Sequence, residues 1–286
     1  MYKDNNILAG FHVSVAGGLV NAVPRAVEVG CTTMQIFTHS PRAWKFSDIS
    51  QAAALEFMHA RKNSGISPLF VHTSYLINLA AKDDTLYRRS IDALRTELLR
   101  ADRIGAEYVV THLGSASGSE PSEAMDRVSR ALASAVDGLD VKTSLLLENT
   151  AGERGDVGYR FEDIADIIAG SGLSRLGVAF DTCHGFGAGY DIKTSKGLEA
   201  VLQEMEDTFG LSRLKLIHLN DSKHPIGSRR DRHEDIGGGE IGMAAFRLII
   251  NHPKLREIPF IMETPKASPA DDLRNMAVFK KLLRSK

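Results

Sequence analysis

Six short apolar runs in this 286-residue chain end on a side chain that binds metal well. Pro68-Leu69-Phe70-Val71 precedes His72, Tyr108-Val109-Val110-Thr111 precedes His112, and Ser144-Leu145-Leu146-Leu147 precedes Glu148. Gly177-Val178-Ala179-Phe180 precedes Asp181, Leu214-Lys215-Leu216-Ile217 precedes His218, and Pro259-Phe260-Ile261-Met262 precedes Glu263. Imidazole and carboxylate together suit zinc, manganese or iron, whereas an all-oxygen set suits magnesium or calcium. A core rejects this many titratable groups unless something pairs with them. The pattern implies a metalloenzyme.

Runs this short and apolar suit parallel strands buried on both faces. Strand candidates begin near residues 7, 32, 68, 107, 143, 175, 213 and 258. Helical patterns fall between them, at about 19–29, 50–64, 85–105, 121–137, 161–170, 195–210, 242–251 and 270–284. The third is the clearest, with Leu86, Ile91, Leu94, Leu98, Leu99 and Ile104 at helical spacing and Gly105 ending it. Leu282 and Leu283 close the last one. Strand then helix, eight times over, predicts an α/β fold: a (β/α)8 TIM barrel forming a single domain over 1–286. A doubly wound open sheet needs fewer strands and does not explain candidate ligands on six strand ends. In a barrel those ends face one cavity.

The loops after the sixth and seventh strands add His184, Asp231 and His233. Asp181-Thr182-Cys183-His184 suits a strand end turning into a loop, and Asp231 and His233 can point the same way if their loop is extended. Spacing alone leaves these three open between ligands and ordinary loop residues. With them the set holds five histidines, two aspartates and two glutamates. One zinc ion usually takes four ligands, so the set implies two or three ions, with a carboxylate bridging. The stretch 220–239 is the longest without periodicity, and loops of that length are usually functional.

Other features lend themselves to plainer readings. Cys183 lies between two candidate ligands but suits a small buried thiol. Gly237, Gly239 and Gly242 match a dinucleotide fingerprint, yet charged residues rather than a strand precede them, so no nucleotide cofactor is expected. A flexible loop entering a helix is the simpler reading. His59, His224 and His252 fall outside the strand-end pattern and are expected to face solvent. No Ser, Cys or Lys nucleophile with an evident base stands out.

Three divalent ions outweigh four carboxylates, so the loaded site is net positive and attracts phosphate, and clustered ions assist phosphoryl displacement. Arg42, Lys45, Lys223, Arg229, Arg230, Arg232 and Lys266 fall on loops at the mouth, as a nucleic-acid backbone requires. A net charge of −1 argues against a general polyanion surface. The hydrophobic fraction of 43% with 25% charged residues is ordinary for a globular protein. Neither a membrane span nor a leader is expected, and Cys31 and Cys183 build no disulfide framework, so a cytoplasmic location is expected.

Nearly end to end, these residues resemble endonuclease IV, the metal-dependent apurinic/apyrimidinic endonuclease family (family 2) of DNA base-excision repair. The resemblance rests on Gly10-Phe11-His12-Val13-Ser14 with Gly17-Gly18, His72-Thr73-Ser74-Tyr75-Leu76-Ile77-Asn78-Leu79 and His112-Leu113-Gly114. It continues through Leu147-Glu148-Asn149-Thr150-Ala151-Gly152, Asp181-Thr182-Cys183-His184 and His218-Leu219-Asn220-Asp221-Ser222-Lys223. Gly227-Ser228-Arg229, Asp231-Arg232-His233 and Glu263-Thr264-Pro265 complete it.

The resemblance implies roles. His72 and His112 hold a first zinc that shares Glu148 with a second; Asp181, His218 and Glu263 complete the second; His184, Asp231 and His233 hold the third. Manganese or iron is an alternative occupant. Glu148 and Glu263 are the implied catalytic carboxylates. The implied reaction is hydrolysis of the phosphodiester 5′ to an abasic site, leaving a 3′-hydroxyl and a 5′-deoxyribose phosphate, with metal-activated water as nucleophile. The implied partner is double-stranded DNA carrying abasic sites, and a monomer is expected, since an open DNA-facing mouth needs no second subunit. Arg42, Tyr75 and Leu76 are implied to enter the minor groove, where a planar cation, a ring and an apolar wedge replace lost stacking. Trp44 is expected to support their loop. His39-Ser40-Pro41 departs from the more amide-rich approach to Arg42 expected of the family.

Two rivals define the tests. A metal-dependent sugar isomerase or epimerase uses the same kind of barrel but lacks a third donor set, against which Asp231 and His233 count. A damage-binding protein with purely structural metals needs closed, thiolate-rich sites.

Overall fold

In six of the strands, one residue faces the middle of the barrel and the residue two positions later is a candidate ligand. Phe70, Val110, Leu146, Ala179, Leu216 and Ile261 form a separate, fully buried apolar cluster. Two positions after each come His72, His112, Glu148, Asp181, His218 and Glu263. Side chains alternate across a strand, so each candidate ligand shares the inward face of its apolar predecessor. The floor of the barrel is apolar and its rim carries the titratable groups.

The computed structural model describes residues 7–116 and 118–283. Its parallel strands are β1 (Ala9–Phe11), β2 (Met34–Ile36), β3 (Leu69–His72), β4 (Tyr108–Thr111), β5 (Ser144–Glu148), β6 (Gly177–Asp181) and β7 (Leu214–His218). A short antiparallel pair, β8 (Asp221–Ser222) and β9 (His233–Glu234), follows, and β10 (Phe260–Met262) is the last of the ring. Neighbours run β1-β10-β7-β6-β5-β4-β3-β2. A parallel bridge between His12 and Gln35 joins the two ends of that order, with Val13 N donating to Gln35 O at 2.7 Å. The predicted (β/α)8 barrel is present. Gly10 sits at this seam, where an added Cβ would lie 1.8 Å from the Thr33 carbonyl oxygen.

The helices are α1 (Ala22–Val29), α2 (Gln51–Ser64), α3 (Asp84–Arg103), α4 (Pro121–Val136) and α5 (Phe161–Ser171). They continue as α6 (Thr182–Ala188), α7 (Ser195–Thr208), α8 (Gly242–Asn251) and α9 (Pro269–Leu282). Ser50, Asp83 and Thr194 cap α2, α3 and α7 by accepting from backbone N–H groups of the first turn, which local sequence favours. Leu94 and Leu98 of α3 pack into the main core, but Leu99 is exposed, so the predicted apolar stripe is one residue narrower. Leu282 ends α9 as a buried residue and Leu283 caps it. Among the described residues, no helix is long and apolar enough to cross a membrane.

Two elements escaped the sequence pattern. The segment after β6 is a helix rather than a loop: Asp181 caps α6 by accepting from His184 N at 2.8 Å. The long stretch after β7 folds back on itself, pairing Ser222 with His233 and Asp221 with Glu234.

Candidate metal centre

All nine candidate ligands meet at one end of the barrel. His72, His112 and Glu148 form one group, and Glu148, Asp181, His218 and Glu263 form another, with donor atoms in each within 4.8 Å of one another. Glu148 belongs to both. His184 Nε2 lies 3.2 Å from Asp231 Oδ2, and His233 Nε2 lies 3.3 Å from Asp231 Oδ1. Asp181 connects the second group to this third one, with His233 Nε2 3.6 Å from its Oδ2. A cavity of about 1110 Å³ opens onto the centre, lined by His72, His112, His184, Asp231, His233 and Glu263. Glu148, Asp181 and His218 are fully buried.

The histidines are oriented as ligands are. His72 Nδ1 donates to Thr73 O at 2.8 Å, His184 Nδ1 to Asn149 O at 2.9 Å and His233 Nδ1 to Glu263 O at 3.0 Å. In each ring, that bond leaves Nε2 as the nitrogen that faces the carboxylates. His218 is turned round: Nε2 donates to Gln35 Oε1 at 2.8 Å and Nδ1 faces Glu148 Oε1 at 2.7 Å. The Nε2 atoms of His184 and His233 are buried and make no hydrogen bond, although carboxylate oxygens stand close. Ligand atoms around one zinc ion lie roughly 3.4 Å apart, from Zn–N bonds of about 2.0–2.1 Å in tetrahedral geometry. The 3.2 and 3.3 Å separations around Asp231 match that spacing. The donor set fits divalent metal.

Charge agrees with this geometry. Burial would raise Glu148 and Glu263, yet the surrounding imidazoles hold both well below the usual carboxylate range. Burial lowers His112. It also opposes the charged form of His72 and His218, but the carboxylates outweigh it and push His218 up to about 9. The centre therefore holds ionised carboxylates that attract cations. Cys183 also stands near Asp231 and His233, but burial pushes its thiol up to about 12, so it is a neutral buried thiol, as expected.

Residues given no role in the sequence reading hydrogen-bond the candidate ligands. Gln35 Nε2 donates to Glu263 Oε1 at 2.6 Å and approaches His12 Nδ1 at 2.9 Å. Asn220 Nδ2 donates to Asp181 Oδ2 at 2.6 Å, while its Oδ1 accepts from Glu263 N at 2.7 Å. Asp181 N donates to Asn149 Oδ1 at 2.7 Å. The signal was present: His12 directly follows β1, as His112 follows β4.

The chain as a whole is similar to known proteins. Residues 23–282 match the xylose isomerase-like TIM barrel family. A probable endonuclease 4 of Methanoculleus marisnigri is 44% identical over 278 residues, covering 96% of this chain and 99% of the relative. This chain belongs to the endonuclease IV family. The crystal structure of endonuclease IV from Thermus thermophilus superposes with a TM-score of 0.87 at 38% identity, covering 96% of this chain and 98% of that one. A D-tagatose 3-epimerase-like protein superposes with a TM-score of 0.72 at 20% identity over 96% of each chain, a likeness of fold alone.

The three residues expected to meet DNA lie on adjoining loops. Tyr75 is 64% exposed and packs edge-on to Phe37 at 5.4 Å, and Leu76 beside it is half-buried. Arg42 is exposed. Ser74 Oγ donates to Pro41 O at 2.7 Å, tying the two loops together. Trp44 is braced by Arg89, whose guanidinium lies 4.4 Å from the ring centre. His39 is buried against Glu97, with 2.9 Å between Nδ1 and Oε1, and its Nε2 meets Ala43 O at 3.0 Å.

Other expectations need correcting. Lys223, Arg232 and Lys266 pair with Glu234, Glu153 and Asp272, so the basic mouth is partly neutralised from within. His59 is exposed, but His224 and His252 are half-buried, and His252 bonds Glu199 at 2.9 Å. The glycine-rich segment is anchored rather than free: Asp221 accepts from Gly237 N, Gly239 N, Ile241 N and Gly242 N.

Proposed function

We propose that this endonuclease IV homologue hydrolyses the phosphodiester 5′ to an abasic site in double-stranded DNA, leaving a 3′-hydroxyl and a 5′-deoxyribose phosphate. The observation that carries the reading is the convergence of nine donors in overlapping groups at one end of the barrel, six of them lining one open cavity. In this reading His72, His112 and Glu148 hold one ion, and Glu148, Asp181, His218 and Glu263 the next. His184, Asp231 and His233 hold the third. Zinc suits this donor set best, with manganese or iron able to replace it. Bound divalent ions supply Lewis acidity toward the phosphate and lower the pKa of water to about 7.

The protein's own groups do the rest. Glu148 is the shared carboxylate, and its burial fixes the spacing of the first two groups. Glu263 is aimed by two bonds, from the Gln35 amide to its side chain and to the Asn220 amide from its backbone. Tyr75 and Leu76 present a ring and an apolar wedge beside the cavity, and Arg42 a cation, to occupy the gap an abasic nucleotide leaves in the stack. The reading takes the chain as one domain, acting as a cytoplasmic monomer on DNA.

The test is a duplex carrying one tetrahydrofuran abasic analogue, which cannot undergo β-elimination. Metal-replete protein should cut it on the 5′ side with an extendable 3′-hydroxyl, and Glu263→Gln should not. Turnover of a keto-sugar without nicking would favour the isomerase reading; damage binding without scission at full occupancy would favour a structural role for the metals.

A further inference from the structure

The glycine-rich segment 237–242 resembles a phosphate-binding loop in spacing, and the structure shows an anion inside it. That anion is the carboxylate of Asp221, which is fully buried. Its Oδ1 accepts from Ser222 N at 2.8 Å and Ile241 N at 2.9 Å. Its Oδ2 accepts from Gly237 N and Gly239 N at 3.0 Å each and from Gly242 N at 3.3 Å. Converging backbone N–H groups of this kind form anion-binding nests. Glycine is required here on two grounds. Gly237 and Gly242 have φ of +80° and +81°, and a Cβ on Gly239 would lie 2.3 Å from the Ser222 carbonyl oxygen.

The nest sits behind the third donor group. Asp221 and Ser222 form β8, whose partner β9 contains His233. Lys223 N donates to Arg232 O at 3.0 Å, and Glu240 N to Ser222 O at 2.7 Å. The chain leaving β9 is thus folded back and clamped on the residue that starts β8. Asp231 and His233 lie between two fixed points, the strand end at His218 and the Asp221 nest. Without the carboxylate five backbone N–H groups would lose their partner, and those of Ser222 and Ile241 lie in buried residues, where an unpaired donor is costly.

We propose that Asp221 is the positioning residue of the third donor group, an internal anion that takes the place of a bound phosphate and holds the arm carrying Asp231 and His233. The proposal rests on the ligand assignment above for its metal readout, but not for its loop readout. A corollary is that removing the Asp221 side chain leaves a nest that a free small carboxylate can fill.

The experiment uses full-length, metal-loaded wild type, Asp221→Asn and Asp221→Ala, with formate as the probe. Amide exchange of 231–242 is followed by mass spectrometry, and bound metal is counted by elemental analysis after dialysis. In Asp221→Ala these amides should exchange at least about tenfold faster, because several charge-assisted bonds are lost together. One bound ion should be lost while the others stay. Formate should slow exchange and restore the ion; chloride at equal ionic strength should do neither. Asp221→Asn, which keeps the shape but not the charge, should fall between. Wild-type exchange and full metal content in Asp221→Ala would overturn the proposal. So would a folded Asp221→Ala, by circular dichroism, that ignores formate. If wild type binds fewer than three ions while exchange still follows Asp221 and formate, the ligand assignment fails and the anchoring role stands.

Discussion

At the ends of β3, β5, β6 and β7, His72, Glu148, Asp181 and His218 ride on strands flanked on both sides by parallel neighbours, and all four are buried. Asp231 and His233 are held differently: they stand on a stretch that leaves the ring, and their side chains are 45% and 18% exposed. The first half of the centre is positioned by the barrel itself, with Gln35 and Asn220 hydrogen-bonded to Glu263 and Asp181. The second half is positioned by β8, β9 and the Asp221 carboxylate. Rigid strands fix the pair of donor groups that share Glu148. The arm outside the ring carries the other group, held by β8, β9 and the bonds to Asp221.

The largest expected effect lies in the first half. Glu148→Gln removes the carboxylate that two groups share and on which His72, His112 and His218 converge. Losing several kcal/mol of charge stabilisation should cut nicking of abasic duplex by at least about 10³-fold. Elemental analysis should show more than one ion missing. A variant retaining both metal and activity would remove Glu148 from its bridging role. Asp231→Asn comes next: it should release one ion and keep the others, with nicking falling roughly 10²–10³-fold. If it released every ion, the two halves would not be separable.

Gln35→Ala touches the first half more gently. The amide meets His218, Glu263 and His12 at once. Partners that orient ligands typically contribute 10–100-fold to metal affinity or activity, so a loss of about that size is expected in a chelator competition. The loss should fall on the group containing Glu263 and leave the Asp231 group unaffected. Equal weakening of both would show the halves to be coupled.

This contrast also explains what the sequence revealed. The strand-end half was legible because each candidate ligand closes a nearly unbroken apolar run, as in a parallel strand buried on both faces. His12 and Gln35 escaped that pattern because Gly10 interrupts the run before His12, and Gln35 lies within β2 rather than at its end. Thr182–Ala188 did not read as a helix because Gly185 and Gly187 weaken it. Gly185 is there because a Cβ would lie 2.6 Å from the Phe180 ring. The arm was least legible of all. Its strands are two residues each, and its glycines answer to a carboxylate 16 to 21 residues earlier in the chain, a contact no local pattern encodes. Tyr75 and Leu76, proposed as wedge residues, entered only through the family resemblance, since an exposed ring beside a half-buried leucine is common on any surface.

The smallest expected effect concerns protons in the first half. Without metal, the neighbouring carboxylates favour the charged imidazoles of His72, His184 and His218. His218 is the clearest case: burial opposes its charge, but the carboxylates raise it to about 9 from 6.5. A group raised on folding contributes stability that is full below its unfolded pKa and is lost as pH climbs through the folded one. The melting temperature of chelator-treated protein should therefore fall, by about 5 °C, between pH 6.5 and 9. Glu148→Gln should flatten that slope, because the carboxylate facing His218 Nδ1 is gone. Metal reverses the logic, since a bound imidazole must give up the proton at its ligating nitrogen. Adding zinc to weakly buffered apoprotein at pH 7 should release protons, fewer in Glu148→Gln than in wild type. A flat melting profile in wild type, with no proton release on zinc addition, would mean that the carboxylates of the first half do not hold charged histidines. The argument that this half is an electrostatic cage built for cations would then fail.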